Sequence, residues 1–232
     1  MDETGMLPMH VHKLEKELRL GFIRKVLGIL TAQLLFTTLL VLIVYTSPGF
    51  QQFIAANFWI LYLCLAFYIV CTCILLCCKK PARKVPINYI LLSIITLSLG
   101  FITAAITSQY DPYSVLMAVI LTVAVTVALA LYAFFTKTDF TVCYGLMFVV
   151  SMCTTVVLIM ILCSENGESL IYFYYWLCVI VYGIYLIIDI QLIVGKGRYK
   201  LSHEDYIVGA LMLYIDIIML FLELLKIFGS KR

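Results

Sequence analysis

Seven runs of roughly twenty apolar residues, each about the length that spans a hydrocarbon core of about 30 Å as a helix, dominate this chain. They are Val26–Tyr45, Phe58–Cys78, Ile87–Thr107, Tyr113–Phe135, Phe140–Cys163, Leu170–Val194 and Tyr206–Phe228. Short polar pieces separate them: TSPGFQQ, KKPARKVP, SQYDP, KTD, SENGES and GKGRYKLSHED. Lipid offers the backbone no hydrogen-bond partner, so spanning segments must be helices or closed barrels. The ten-residue alternation that marks barrel strands is absent. With 64% hydrophobic and 12% charged residues, and a mean hydropathy of +1.09, the chain cannot cover its surface for water, since a soluble domain runs near about 25% charged.

The sequence therefore predicts an all-α polytopic membrane protein, a bundle of seven transmembrane helices. Residues 1–25 read as a short polar tail without the apolar h-region of a cleavable signal peptide. Residues 26–228 form a single bundle domain, and 229–232 a basic C-terminal tail. The sequence carries no nucleic-acid motif, and the lipid bilayer is its expected surrounding.

Basic residues set the expected orientation, because loops rich in Lys and Arg stay on the cytosolic side. Lys13, Lys16, Arg19, Arg24 and Lys25 precede the first span, and Lys79, Lys80, Arg83 and Lys84 fill the second loop. Lys137 lies in the fourth loop, and Lys196, Arg198 and Lys200 in the sixth, which puts thirteen of the sixteen basic residues on one side. The N-terminus is thus expected in the cytosol. Lys226, Lys231 and Arg232 oppose this if the last segment crosses fully, so a re-entrant last segment is the alternative. The opposite loops carry only acids, Asp111, Glu165 and Glu168. Such a face either concentrates cations or simply balances charge.

The nine cysteines (64, 71, 73, 77, 78, 143, 153, 163 and 178) fall inside the spans or at their ends, without a disulfide framework or metal-binding spacing. They read as small packing residues, with palmitoylation of Cys77 and Cys78 as an option beside the basic loop. YFYYW at Tyr172–Trp176 reads as an interfacial aromatic belt, and Ala124 with Ala128 as a small-residue contact strip. No nucleophile, metal cluster or phosphate loop points to catalysis, and no cofactor is expected.

Two acidic residues lie well inside spans, where a charge at the helix centre costs about 2.5–3.5 kcal/mol on insertion scales. Asp189 stands about five residues from the end of the sixth span, roughly 8 Å, and Asp216 about ten residues into the seventh, roughly 15 Å. A short connection makes these helices antiparallel neighbours, so contact between the two carboxyls is within reach. Close carboxylates in low dielectric do not both ionise cheaply, and one proton tends to be shared. Such a pair is a clasp when it holds a proton and a repelling dianion, or a site for Ca²⁺ with its preference for hard oxygens, when it does not. The other reading leaves each Asp neutral and separately bonded. In the connection, Gly195 and Gly197 are expected to loosen the sixth span, and SHED to cap the seventh with Ser202, Asp205 standing at the capping-box position. Glu223, on the same face as Asp216, either extends a polar path or pairs with Lys226.

RKVLGILTAQLL, KKPARKVPINYILL, TKTDFT, DIQLIVG and LSHEDYIVGALMLYIDIIMLF resemble the transmembrane Bax inhibitor motif family, closest to its lifeguard branch. The likeness runs from about Arg24 to Gly229 and is most specific from the sixth span to the seventh. It implies six or seven helices with the last at the centre of the bundle. It also implies a pH-sensitive Ca²⁺ leak in endoplasmic reticulum, Golgi or related membranes (the plasma membrane being a further location), with suppression of cell death. The family's paired aspartates fall on Asp189 and Asp216, which makes these the gating pair and the Ca²⁺ contact. Ca²⁺ is the transported ion, and cell-death regulators or receptors are candidate partners. The family's usual LSPEEY reads LSHEDY here, with His203 in the proline position. Arg83, an accessory candidate with Glu223, lies beyond the end of the second span rather than inside it.

Rival classes fit less. An intramembrane aspartyl protease would carry YD and GxGD around its acids, and IIDIQ and LYID match only faintly, with Tyr214 one place too far from Asp216 and neither glycine before it. A heptahelical receptor would carry Asp-Arg-Tyr and NPxxY, also missing. A non-conducting scaffold that regulates cell-death machinery is the main alternative.

Overall fold

The first helix, α1, runs Glu3–Thr46 without a break. At about 1.5 Å per residue it is about 66 Å long, more than twice the hydrocarbon thickness. The expected boundary at residue 26 is therefore not a structural one. Residues 13–24 are almost all good helix formers, and Phe22 is already buried in the bundle core. The computed structural model describes residues 3–164 and 167–232, and the side chains of these except 3–13, 55 and 167–169. Glu165, and the side chain of Glu168, lie outside the described residues.

Eight further α-helices follow among the described residues: α2 (Pro48–Ala56), α3 (Trp59–Cys77), α4 (Lys79–Arg83), α5 (Ile87–Thr107), α6 (Pro112–Phe135), α7 (Tyr144–Leu162), α8 (Gly167–Val194) and α9 (Tyr206–Phe228). A 3₁₀ turn at Phe140–Cys143 leads into α7. Seven segments are long and apolar enough to cross a membrane, and their ends fall within a few residues of the expected spans except at the start of α1. The protein is an all-α multi-pass membrane protein. The first loop holds the short helix α2 with Pro48 in its first turn, where a missing N–H costs nothing.

Helix α9 is the axis of the bundle. Fourteen of its 23 residues are buried, against three of 24 in α6. It packs against α1, α5, α6 and α8, while α3 lies outside on α5 and α7 outside on α8. Leu211, Leu213, Tyr214, Leu220 and Leu225 of α9 fill the centre with Val26 of α1 and Leu186 of α8. The small residues that α6 turns inward are Ala118, Thr122 and Ala133. Ala124 and Ala128 face outward instead. Likewise only Cys71 and Cys178 are buried, and Cys73, Cys77, Cys78, Cys143, Cys153 and Cys163 are exposed, so most of the thiols do not pack inside the bundle.

The last helix is not re-entrant. It begins beside α4, where Asp205 meets Arg83, and ends beside the α5–α6 loop, where the Asp111 amide donates to the Ser230 carbonyl and the Arg232 amide to the Gln109 carbonyl. Helix α5 separates these two places by its full 21 residues, so α9 runs from one end of the bundle to the other. The terminal residues are not a loose tail, since Lys231 bridges to Tyr110.

Candidate functional site

The end of the bundle that holds the second, fourth and sixth loops is closed by a set of polar contacts. Helix α8 stops at Gly195, whose φ of 74° is the left-handed conformation glycine adopts freely. Its amide still reaches the Gln191 carbonyl at 2.8 Å. Arg19 of α1 donates to the Leu201 carbonyl at 2.7 Å and to the Leu192 carbonyl, satisfying one carbonyl left open at the end of α8 and one in the loop. The buried Gln191 side chain accepts from the Phe140 amide and donates to the Thr138 carbonyl, both at 2.9 Å.

Asp139 accepts from the Thr141 amide and hydroxyl and from the Arg198 amide at 2.6 Å. The Thr141 hydroxyl, and after it the Arg198 amide, hold the Asp139 carboxyl below the usual carboxylate range. Gly197 permits this approach, because a Cβ there would sit on Asp139 Oδ1 and Thr141 Oγ1. The two glycines thus fix the connection rather than loosen it.

Beneath this cap, Asp189 of α8 and Asp216 of α9 are 3% and 7% exposed, and their side chains face one another across the interface of the two helices. The fold shortens the axial offset that separates them along the two helices. A Cβ on Gly209 would lie 3.4 Å from the Ile193 side chain, which sets these two residues at one level, so α9 reaches past the end of α8. From that common level Asp189 is four residues deep and Asp216 seven, an offset of about 4.5 Å, which two side chains can span. Two carboxyl groups hydrogen-bond only when one of them carries a proton. Among the described residues, Asp189 Oδ1 and Asp216 Oδ2 have no hydrogen-bond partner, and such orphaned buried oxygens are uncommon enough to call for a cause. Tyr68, Tyr144, Tyr182 and Tyr185 lie within electrostatic range of one or both carboxyls without a hydrogen bond to either. Two residues before Asp216, on nearly the opposite side of α9, the Tyr214 hydroxyl meets that of Thr37 at 2.7 Å, and Gln33 donates to Thr96 at 2.9 Å.

The other two candidates lie apart from the pair. Arg83 binds Asp205 and Glu204 at the entry to α9, and Glu223 pairs with Lys226 at 2.8 Å near the opposite end. Asp205, not Ser202, is the N-cap of α9, and its side chain makes no cap bond because it faces Arg83. His203 stacks edge-on against Phe22 at 5.9 Å. No third His, Cys, Asp or Glu joins the aspartate pair in a metal-holding group among the described residues.

The model of the family "Inhibitor of apoptosis-promoting Bax1" matches residues 19–232. Protein lifeguard 3 of Homo sapiens is 36% identical over 221 residues, covering 94% of this chain and 71% of the relative. Protein lifeguard 3 of Mus musculus is 36% identical over 225 residues with the same coverage. A BI1-like protein of Arabidopsis thaliana is 31% identical over 217 residues, 92% of this chain and 82% of its own length.

Proposed function

The chain belongs to the Bax inhibitor family, and we propose that it is a proton-gated Ca²⁺ leak of an intracellular membrane, endoplasmic reticulum or Golgi, that serves to suppress apoptosis. The observation that supports this reading is the burial of two carboxyl groups on facing sides of α8 and the central helix, each with an oxygen that has no other partner among the described residues. While the pair holds one proton it ties α8 to α9. When the proton leaves, two like charges about 4 Å apart repel by about 4 kcal/mol at an effective dielectric of about 20, and the helices part. The tyrosines around the pair and the backbone carbonyls then freed would complete oxygen ligation of a passing Ca²⁺. Two carboxylates without a third make a weak site, which suits passage over retention, since conduction requires that the ion also leave. No catalytic step enters this account.

The orientation follows the basic loops, with the Arg83, Asp139 and Arg198 end in the cytosol. Ca²⁺ flux through purified protein in liposomes, measured from about pH 5 to about pH 8, tests the reading. The account expects flux that rises as the pair loses its proton. Absence of flux at every pH sinks it and leaves the scaffold reading, in which the cytosolic loops bind cell-death regulators.

A further inference from the structure

Between α1 and α6 the side of the bundle opens into a cavity of about 500 Å³, floored by Ile217, Ile218 and Phe221 of α9. Its volume is that of a small-molecule site, roughly 300–1,000 Å³. The α1 wall extends from Leu34 to Tyr45 and the α6 wall from Pro112 to Val123. Each wall is about 16 Å long at about 1.5 Å per residue, half of a hydrocarbon core of about 30 Å. The cleft therefore spans one leaflet, from the midplane to the interface. The threonine hydroxyls along it are already engaged, Thr38 with the Leu34 carbonyl at 2.8 Å, Thr122 with the Ala118 carbonyl at 2.7 Å and Thr37 with the Tyr214 hydroxyl of α9 at 2.7 Å. What the walls offer an occupant is hydrocarbon.

The interfacial mouth is different. There the Arg232 guanidinium lies 4.4 Å over the ring of Tyr45, which itself lines the cleft. The Arg232 backbone amide donates a hydrogen bond to the Gln109 carbonyl at 2.9 Å, which anchors the main chain there. Arg232 is exposed and makes no salt bridge among the described residues. Asp111 lies near Tyr45 but outside salt-bridge range of this arginine. A one-leaflet apolar cleft that ends at a guanidinium stacked on Tyr45 matches the shape and charge of a glycerophospholipid.

We propose that this cleft is a phospholipid site, with one acyl chain lodged between α1 and α6 against α9 and the phosphate on Arg232. A guanidinium fork matches phosphate oxygens. A sterol would bring a neutral hydroxyl that needs no such charge and finds no free threonine. The site does not depend on ion conduction, although Ile217, in contact with the lipid, follows Asp216 in the chain.

Photolabelling of the full chain in phosphatidylcholine nanodiscs, with a fraction of the lipid carrying a diazirine in its acyl chain, tests the site. Peptides covering 112–123 and 217–221 should be labelled several-fold more than those of the lipid-facing α7. Val119→Trp, which fills the cleft from an exposed position, should lower that labelling several-fold. Arg232→Ala should lower it for the phospholipid probe and leave a diazirine fatty alcohol unaffected. Circular dichroism and size-exclusion profiles equal to wild type keep both variants informative. Even labelling of all lipid-facing helices would overturn the proposal. So would labelling indifferent to Arg232, or stronger labelling by a diazirine sterol that excess phosphatidylcholine does not displace.

Discussion

Arg83 grips Asp205 with two nitrogens, Nε to Oδ1 at 2.7 Å and Nη2 to Oδ2 at 2.9 Å, while its Nη1 holds Glu204 at 3.0 Å. This joins α4 to the first turn of the central helix, where acidic groups also suit the helix dipole. The group is exposed, so salt should weaken the grip. Arg83→Gln and a rise from about 0.05 to about 0.5 M salt should each speed amide exchange in Tyr206–Gly209 several-fold. Combined, they should do no more than either alone. An equal salt effect in Arg83→Gln would show that the pair does not hold α9.

Arg19 reaches two carbonyls at once, those of Leu192 and Leu201, and the planar fork is what allows it. Arg19→Ala should cost about 1–2 kcal/mol, the scale of hydrogen bonds from a charged group. Arg19→Lys should recover less than half. Thermal melting in detergent, compared across the two variants, checks this.

The Asp139 carboxyl, held below the ordinary value of about 3.9 by Thr141 and Arg198, gives a pH dependence of fixed sign. Its folded value lies below its unfolded one, so its contribution is complete above about pH 4 and is lost as pH falls through the lowered folded value. The loop clamp is thus intact throughout the neutral range. Asp139→Asn should raise proteolysis of the 195–205 loop at pH 7 yet leave the pH midpoint of any Ca²⁺ flux where it is in wild type. Gly197→Ala should do the same, because its Cβ would displace Asp139.

The hydroxyls of Thr37 and Tyr214, 2.7 Å apart and buried, link α1 to α9. Interhelical bonds of this kind are worth about 0.6 kcal/mol on average and up to about 1.7. Tyr214→Phe and Thr37→Val should each lower stability modestly, and a double-mutant cycle should return a coupling in that range.

The spans were legible because hydropathy at a period set by membrane thickness needs no knowledge of partners. So was the place of α9, since Asp216 and Glu223 in a lipid-facing helix would be too costly. A short antiparallel connection put contact between Asp189 and Asp216 within reach, and both are buried. The cap was not legible. Arg19 lies 182 and 173 positions from the carbonyls it binds, and nothing local marks a carbonyl as unpaired. Asp139 and Gln191 look like ordinary polar residues at span ends until the loops fold onto them. SHED read as a serine cap failed because tertiary pairing with Arg83 claimed the Asp205 carboxylate. The start of α1 was misplaced since charge, which ends a span, does not end a helix. The sequence left full crossing and re-entry of the last segment open because of three basic residues, of which two find local partners, Lys226 on Glu223 and Arg232 on Tyr45.

The most direct test of the aspartate clasp is the pH profile of Ca²⁺ flux in liposomes for wild type, Asp189→Asn and Asp216→Asn, read beside one another. An amide cannot share a carboxyl proton, so the account predicts that each substitution flattens the profile while the protein still folds and inserts. Profiles that keep the wild-type midpoint and steepness in both variants would contradict it.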